Sequence, residues 1–187
     1  LMIALARDIP GVDRGVRAGG WPRRVGPELR GKTLGIVGTG QIGKALAGMA
    51  RGLGMRLLAT DAFPDAAFAD AHDLTYVPLP ELLAAADFVS LHCPLAPGTR
   101  GLIGPATLAL MKPTAHLINT ARGGLIDEAA LLAALRAGRI AGAGLDVFEA
   151  EPQAARGPFA ALDNVILSSH LGGATVEAVE RSLEMAL

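Results

Sequence analysis

The chain has 187 residues, of which 51% are hydrophobic, and this is enough for one domain with a sizeable core. It contains no apolar run of membrane-spanning length, and its formal net charge of −1 gives no electrostatic reason to expect nucleic acid or a membrane as a partner. Cys93 is the only cysteine, which excludes an internal disulfide framework and a cysteine metal cluster. We therefore expect no metal site, no signal peptide and a reducing, cytoplasmic setting.

The first segment, Leu1 to Arg7, is apolar and predicts a helix that stops near Pro10. Gly11 to Gly31 is basic and rich in Gly and Pro, which predicts an irregular connection with Trp21 as its one large anchor. The apolar start and Trp21 are about equally compatible with packing on a partner subunit and with packing on the chain's own sheet. Both ends of the sequence fall inside predicted helices, so we expect a fragment of a longer protein.

The stretch from residue 32 to residue 61 has the order strand, tight turn, helix and second strand. Thr33 to Val37 is an apolar run of strand length, and Ile42 to Leu53 has apolar residues at helical spacing, with Gly54 at its end. Met55 to Thr60 is a second predicted strand, and an acidic residue, Asp61, stands at its end. This order is typical of a β-α-β unit that binds a dinucleotide.

Three glycines in this unit form the pattern G-x-G-x-x-G between strand and helix. Gly38 permits the tight turn, Gly40 lets a pyrophosphate approach the backbone, and Gly43 lets the helix pack close to the sheet. The start of the helix presents unpaired N–H groups and a positive dipole end to the phosphates. Asp61, eighteen residues after Gly43, is placed to accept hydrogen bonds from an adenosine ribose and to repel a 2′-phosphate, which favours NAD over NADP.

The rest of the chain alternates short strands and helices. Strands are predicted at Leu74 to Val77, Asp87 to His92, Ala115 to Thr120, Ile140 to Val147 and Val165 to Ser168. Helices are predicted at Pro80 to Ala86, Pro105 to Met111, Glu128 to Ala137 and Thr175 to Leu187; Ala62 to Ala71 is a loop or short helix, and Phe148 to Leu162 is an irregular loop. The expected fold is α/β: a Rossmann-like, doubly wound parallel sheet with helices on both faces. The loops at 38–43, 92–99, 120–124, 147–152 and 169–173 would then meet at one edge, where open α/β sheets bind ligands.

Three ionisable residues are predicted at that edge: Arg122, Glu151 and His170. Each alone has an ordinary explanation as a surface arginine, a solvated loop acid or a hydrogen-bonded histidine. Together they match hydride transfer between nicotinamide and a 2-oxo acid. A planar guanidinium clamps the carboxylate with two hydrogen bonds, and a histidine exchanges the proton of the carbonyl oxygen. A neighbouring carboxylate orients that histidine and stabilises its imidazolium form.

Five ordered blocks resemble the D-isomer-specific 2-hydroxyacid dehydrogenases, most closely the phosphoglycerate dehydrogenase and glyoxylate or hydroxypyruvate reductase branch. The blocks are LRGKTLGIVGTGQIG (29–43), SLHCPLAPGTRGLI (90–103), LINTARGGLIDEAAL (117–131), AGLDVFEAEP (143–152) and SSHLGGAT (168–175). The resemblance covers nearly the whole chain, and it implies a homodimer formed through the nucleotide-binding domain.

The resemblance also implies residue roles. Arg122 grips the substrate carboxylate, Glu151 partners the histidine, and His170 is the acid/base. The implied NAD-binding set is Gly38, Gly40, Gln41, Ile42, Gly43, Asp61, Cys93, Pro94, Thr99, Thr120, Ala121, Arg122, Asp146, His170, Gly172 and Gly173. Cys93 could also be a reactive thiol, but a small buried residue at a strand end is the simpler interpretation.

The chain departs from the family in two ways. Ser169 stands where the family usually has proline before the histidine, which leaves the pose of His170 less constrained. The family's substrate domain is built from both chain ends and is absent here, so residues 1–187 are expected to be the NAD-binding domain. We expect this polypeptide to bind NAD with weakened affinity and to show little or no turnover alone.

Two alternatives to an NAD-dependent enzyme stay open from sequence. Some relatives are corepressors that use NAD to set conformation, and the intact set of Arg122, Glu151 and His170 does not separate them from enzymes. A structural α/β domain without nucleotide is the third reading, because glycines also serve ordinary turns.

Overall fold

A computed structural model describes residues 1–152 and 157–184. In that part of the chain, seven parallel strands form one sheet with the order β3-β2-β1-β4-β5-β6-β7. The strands are β1 (Thr33–Val37), β2 (Arg56–Thr60), β3 (Leu74–Tyr76), β4 (Phe88–Leu91), β5 (His116–Asn119), β6 (Gly142–Leu145) and β7 (Val165–Leu167). The predicted Rossmann-like α/β fold is confirmed.

In the described residues, helices precede β1, lie between successive strands up to β6, and follow β7. They are α1 (Met2–Arg7), α2 (Ile9–Arg17), α3 (Gln41–Gly52), α4 (Ala66–His72), α5 (Leu79–Ala85), α6 (Pro105–Leu108), α7 (Glu128–Arg136) and α8 (Val176–Glu184), with a 3-10 turn at Gly123–Leu125. The Asp127 carboxylate caps α7 by accepting a hydrogen bond from the Ala130 N–H at 2.9 Å. The predicted loop at 148–162 and the predicted last helix each extend into residues outside the described ranges, at 153–156 and 185–187.

One prediction about the first 31 residues is wrong. Ile9–Arg17 is a helix rather than the start of an irregular connection, and Pro10 lies in its first turn. Proline suits this position because the first N–H groups of a helix have no intrahelical partner. Asp8, with φ of 46°, turns the chain between α1 and α2. Pro10 therefore begins a second helix instead of ending the first.

The sheet is covered on both faces. Leu34 and Ile36 of β1 share a core cluster with Ala47 and Ala50 of α3. The opposite face of β1 lies against α5, since a Cβ added to Gly35 would lie 2.4 Å from the Leu82 Cδ2 atom. Every residue of β1 is buried, as expected for a central strand of a parallel sheet with helices on both sides.

The position of β1 determines where the sheet can hold a ligand. It pairs with β2 on one side and with β4 on the other, so the chain reverses its direction of strand addition at β1. In open parallel sheets this reversal opens a crevice at the carboxyl ends of the two strands. Because all the strands are parallel, the segments that follow β1, β2, β4, β5, β6 and β7 share that edge. Within the described ranges, no helix combines the length and apolar character needed to cross a bilayer.

Candidate active site

The glycine turn after β1 is built by close contacts at two of its three positions. Gly38 has φ of 97°, and a Cβ there would lie 2.6 Å from the Cys93 backbone N. A Cβ on Gly43 would lie 2.1 Å from the Gly38 carbonyl oxygen, so α3 touches the turn itself. A Cβ on Gly40, in contrast, would meet no heavy atom within 4 Å. The protein's own packing does not require glycine at position 40, whereas a ligand approaching the backbone does.

Helix α3 begins directly behind this turn. Gly40 is its N-cap and has no side chain with which to cap the first N–H groups. These groups and the positive end of the helix dipole form a site for an anion. Ile42 is 70% exposed in the first turn of the helix. The turn can therefore hold a pyrophosphate by backbone contacts.

Asp61 lies at the end of β2 and is held from two sides. Its Oδ2 atom accepts hydrogen bonds from the Thr39 N–H at 2.6 Å and the Thr39 hydroxyl at 3.0 Å, and Oδ1 accepts from the Phe63 N–H at 2.8 Å. Partial burial by itself would raise the pKa of the Asp61 carboxyl. The hydrogen bonds from Phe63 and Thr39 outweigh this and lower the pKa below its ordinary value. Asp61 is therefore an ionised hydrogen-bond acceptor at neutral pH.

A cavity of about 490 Å³ lies between the glycine turn, Asp61 and the loop after β4. Six of the predicted residues line it: Gly38, Gly40, Asp61, Cys93, Pro94 and Thr99. The Thr99 hydroxyl donates a hydrogen bond to the Pro94 carbonyl oxygen at 2.7 Å and so closes the 94–99 turn. Burial raises the pKa of the Cys93 thiol, which favours its interpretation as a packing residue over a reactive thiol.

Sequence reasoning missed several residues of this cavity. Its wall also contains Phe63, which is 88% exposed, and His92, whose Nε2 atom lies 2.8 Å from the Ser90 hydroxyl. Burial lowers the pKa of His92, which keeps the ring neutral. The available signal was their place near the ends of predicted strands: His92 ends one predicted strand, and Phe63 lies three residues beyond another, at the edge where such a sheet binds ligands.

Arg122 follows β5 at the same edge, and the turn that carries it is fixed by Asn119. The buried Asn119 amide donates to the Arg122 carbonyl oxygen at 2.9 Å and accepts from the Ala121 N–H at 3.0 Å. A Cβ on Gly123 would lie 1.9 Å from the Phe148 carbonyl carbon, so this turn packs directly on the loop after β6. The Arg122 guanidinium is exposed and donates to the Ala121 carbonyl oxygen at 2.6 Å.

Glu151 and His170 are brought together by the loops after β6 and β7. The His170 Nδ1 atom lies 2.7 Å from Glu151 Oε2, and Glu151 Oε1 accepts a hydrogen bond from the Phe148 N–H at 2.8 Å. The hydrogen bond with His170, followed by that from Phe148, lowers the pKa of the Glu151 carboxyl. Arg122, Glu151 and His170 all line one cavity of about 320 Å³. Leu95 lines this cavity and its neighbour Pro94 lines the larger one, so both cavities reach the loop after β4.

Asp146 holds the loop that carries His170. Its buried carboxylate accepts hydrogen bonds from the Ser168 hydroxyl at 2.5 Å, the Leu171 N–H at 2.8 Å and the Gly172 N–H at 2.8 Å. Burial would raise the pKa of Asp146, but these three hydrogen bonds bring it below its ordinary value. The backbone N–H of His170 donates to the Asp146 carbonyl oxygen at 2.8 Å, and His170 has φ of 59°. This clamp supports a left-handed conformation that non-glycine residues seldom adopt.

The remaining predicted cofactor residues lie beside this clamp. A Cβ on Gly172 would lie 3.1 Å from Asp146 Oδ2 and 4.0 Å from the Thr120 Cβ, whereas one on Gly173 would meet open space. Thr120 and Ala121 follow β5 directly and are half-buried at the edge. Sequence reasoning assigned Asp146 to the cofactor, but it missed that most of this carboxylate's hydrogen-bonding capacity is used by the 168–172 loop.

The residues at this edge fit a dinucleotide. The glycine turn leaves room at Gly40 for phosphate, Asp61 offers a carboxylate at the end of β2, and the cavity wall between them is mostly apolar. The fold and this edge therefore define a Rossmann-type dinucleotide-binding domain with a hydrogen-bonded His170–Glu151 pair at the same edge.

The chain belongs to the D-isomer specific 2-hydroxyacid dehydrogenase family: residues 1–172 match the model of that family's NAD binding domain. The sequence-based resemblance and the choice of NAD as cofactor are thereby confirmed. The match also gives no support to a structural domain without nucleotide.

Comparisons with individual proteins support the same family assignment. The chain is 47% identical over 180 residues to D-3-phosphoglycerate dehydrogenase of Synechocystis sp., covering 95% of this chain and 32% of the relative. It is 46% identical over 191 residues to glyoxylate reductase of Korarchaeum cryptofilum, covering 99% of this chain and 58% of the relative. The structure of D-lactate dehydrogenase with NAD+ from Lactobacillus jensenii superposes with a TM-score of 0.89 and 32% identity, covering 99% of this chain and 60% of that one. The chain thus spans about a third to three fifths of the proteins it matches.

Proposed function

We propose that this domain serves an NAD-dependent oxidoreductase that transfers a hydride between nicotinamide and a D-2-hydroxy acid or its 2-oxo acid. The observation that carries this proposal is the 2.7 Å contact between His170 Nδ1 and Glu151 Oε2 at the ligand edge, in a cavity that Arg122 also lines. The similar proteins named above are all enzymes, which gives a purely regulatory module no support.

The roles of the three residues follow from their chemistry. With Nδ1–H donating to Glu151, the His170 Nε2 atom is left to exchange a proton with the substrate oxygen. Glu151, held by the Phe148 N–H, keeps the imidazole in that tautomer and orientation. The exposed Arg122 guanidinium binds the substrate carboxylate with two parallel hydrogen bonds. When bound, the nicotinamide supplies or accepts the hydride.

The proposed cofactor contacts fall into groups along the edge of the sheet, one for each part of the dinucleotide. Gly38, Gly40, Gln41, Ile42 and Gly43 hold the pyrophosphate through backbone N–H groups, and Asp61 accepts a hydrogen bond from the adenosine ribose. Cys93, Pro94 and Thr99 line the cleft. Thr120, Ala121, Arg122, Asp146, His170, Gly172 and Gly173 surround the nicotinamide end, where Asp146 acts mainly through the loop it clamps.

The substrate is a small 2-hydroxy or 2-oxo acid, with D-3-phosphoglycerate, glyoxylate and hydroxypyruvate as first candidates. Arg122 and the side chain of His170, which is 51% exposed, are open to solvent on the substrate side. We infer that further protein closes over them in the active enzyme, since catalysis of this kind profits from excluded water. The 187-residue chain should then bind NADH and turn over little.

Two measurements test this function. NADH is titrated into the 187-residue chain by nicotinamide fluorescence, and its oxidation is followed by absorbance with a panel of 2-oxo acids. The same panel is then run with the full-length gene product. We expect saturable NADH binding by the chain and turnover only by the longer protein. Absence of NADH binding contradicts the function, and robust turnover by the 187 residues contradicts the requirement for further protein.

We also propose that the protein is a cytoplasmic homodimer formed through this domain. Apolar side chains are exposed along its first 25 residues, among them Ile3 (56%), Ile9 (52%) and Trp21 (81%). Several large apolar side chains exposed in one segment favour an interface there. The single cysteine suits a reducing compartment. Analytical ultracentrifugation should show a dimer that Ile3→Glu with Ile9→Glu dissociates, and a monomeric wild-type chain contradicts the proposal.

A further inference from the structure

Asp61 is connected to a chain of hydrogen bonds that runs away from the cavity. The Thr39 hydroxyl lies 3.0 Å from Asp61 Oδ2 and 2.8 Å from the Tyr76 hydroxyl, which is 37 residues further along the chain. The Tyr76 oxygen in turn lies 3.2 Å from the Asp65 backbone N. Four residues from three separate segments thus form one continuous path.

The protons of this path can be arranged in only one way. The ionised Asp61 carboxylate only accepts, so the Thr39 hydroxyl must donate to it. That hydroxyl has a single proton, so its contact with Tyr76 requires the Tyr76 hydroxyl to donate to Thr39. The Tyr76 oxygen then accepts from the Asp65 N–H. Every donor points toward Asp61, and each bond in such a chain polarises the next.

The far end of the path is anchored to two helices. The Asp65 side chain caps α4 by accepting from the Phe68 N–H at 3.0 Å. Its Oδ2 atom lies 2.5 Å from the Lys44 Nζ atom, which belongs to α3, the helix behind the glycine turn. The Asp61 carboxylate is therefore connected, through these hydrogen bonds, to α3, the helix whose first N–H groups are proposed to bind the phosphates.

The path also decides which oxygen of Asp61 faces the ligand. Both acceptor positions of Oδ2 are filled by the Thr39 N–H and the Thr39 hydroxyl. Oδ1 accepts one hydrogen bond, from the Phe63 N–H, so a ribose hydroxyl must bind at the remaining acceptor position of Oδ1. Thr39 is 5% exposed, and neither Thr39 nor Tyr76 lines the cavity, so these two residues act on a cofactor only through Asp61.

We propose that Thr39 and Tyr76 are positioning residues that hold Asp61 with Oδ1 toward the cavity, and that they thereby set the preference for a dinucleotide with a free adenosine 2′-hydroxyl. The proposal rests on the assignment of Asp61 to the ribose. Rotation of an untied carboxylate would offer the ribose a less directed acceptor and would weaken the discrimination against a 2′-phosphate.

The experiment compares Tyr76→Phe and Thr39→Val with wild type and with the control Thr75→Val. Thr75 is an exposed residue next to Tyr76 on β3, and its hydroxyl takes no part in the path. Dissociation constants for NADH and NADPH are measured with the 187-residue chain by fluorescence. We expect Tyr76→Phe and Thr39→Val each to weaken NADH binding about fivefold, the value of one net hydrogen bond, with NADPH binding unchanged. Thr75→Val should leave both constants unchanged.

The same Tyr76→Phe change, made in a protein that already carries Asp61→Ala, distinguishes a positioning role of Tyr76 from a general structural role. In Asp61→Ala, the further change Tyr76→Phe should have no effect on NADH binding, because the group that Tyr76 positions is gone. If Tyr76 only stabilised the fold, it would alter NADH and NADPH binding alike in both backgrounds. That result overturns the proposal, as does unchanged NADH binding in Tyr76→Phe alone.

A readout without any cofactor distinguishes failure of this proposal from failure of the proposed function. The Asp61 carboxyl is titrated by carbon-13 NMR in the cofactor-free chain. Thr39→Val and Tyr76→Phe should each raise the pKa of Asp61, and Thr75→Val should not. An unmoved titration in both variants refutes the hydrogen-bonded path whatever the protein binds. A moved titration in a chain that binds no NADH shows that the path exists and that the ribose assignment is wrong.

Discussion

The two ends of the ligand edge are built differently. At the end formed by β1 and β2, Asp61 is fixed by the backbone and hydroxyl of the buried Thr39. At the other end, His170 and Glu151 hold one another from loops, with side chains that are 51% and 34% exposed. The proposed cofactor end is thus preorganised by the segments next to β1 and β2, whereas the proposed acid-base end has its His170–Glu151 pair assembled but open to solvent. Binding and chemistry should therefore respond separately to mutation.

The largest expected effect lies at the acid-base end. In the full-length enzyme, His170→Ala should reduce turnover by roughly 10²–10⁴-fold, because the proton donor for the carbonyl oxygen is lost. NADH affinity should change far less than turnover, since His170 is only one of the proposed cofactor contacts and most of the others are untouched. Steady-state kinetics and NADH titration measure the two quantities. His72→Ala on α4 is the matched control. A comparable loss of turnover in this control would show that the effect is not specific to His170.

Asp61→Ala should have the opposite profile. Loss of a charged hydrogen-bond acceptor should weaken NADH binding by roughly 10- to 150-fold, and the preference over NADPH should relax. The change is measured as the ratio of dissociation constants for the two cofactors. Asp70→Ala, an exposed acid on α4, serves as control. A ratio that does not change in Asp61→Ala rules out its assignment to the ribose.

Glycine substitutions sharpen the comparison within the cofactor end. Gly40→Ala meets no steric conflict, so it should cost no more than about 1 kcal/mol of stability, from the poorer N-cap, yet weaken NADH binding by roughly tenfold. Gly43→Ala should instead destabilise the fold by about 1–3 kcal/mol, because its Cβ would overlap the Gly38 carbonyl oxygen. Gly48→Ala lies on the same helix in open space, so it should leave NADH binding unchanged and raise stability by about 0.5–1 kcal/mol, the ordinary gain of alanine over glycine inside a helix. Unimpaired NADH binding by Gly40→Ala would contradict phosphate binding at this turn.

The smallest effect concerns the Asp146 clamp and its dependence on pH. The folded-state pKa of Asp146 lies below its ordinary value of 3.8, so ionised Asp146 stabilises the fold above about pH 4, and the stabilisation is lost as pH falls through the folded pKa. Asp146→Asn should cost about 1–3 kcal/mol at pH 7 and progressively less below pH 4. Thermal unfolding across pH measures this, with exposed Asp163→Asn as control. A cost that does not diminish in acid would show that the carboxylate charge is not what holds the 168–172 loop.

Local pattern was sufficient to predict much of the fold and of the candidate site. The apolar runs of β1 and β4 and the helical spacing of α3 predict these elements because each depends on contacts between near neighbours in sequence. Position after a strand was enough to propose Arg122 and His170, since parallel strands put their carboxyl ends on one edge. The same local reasoning failed at Pro10, which it took as the end of a helix.

By itself, the sequence determined the α/β fold class, the order of its elements, the dinucleotide motif and the family to which the chain belongs. Only the tertiary structure decided which groups touch. It brought Tyr76 to Thr39 across 37 residues and Asp146 to the 168–172 loop, and it gave the geometry of the His170–Glu151 pair that the family resemblance had implied. Periodicity and turn residues encode neighbours within a few positions, whereas these contacts depend on how strands far apart in sequence align in one sheet.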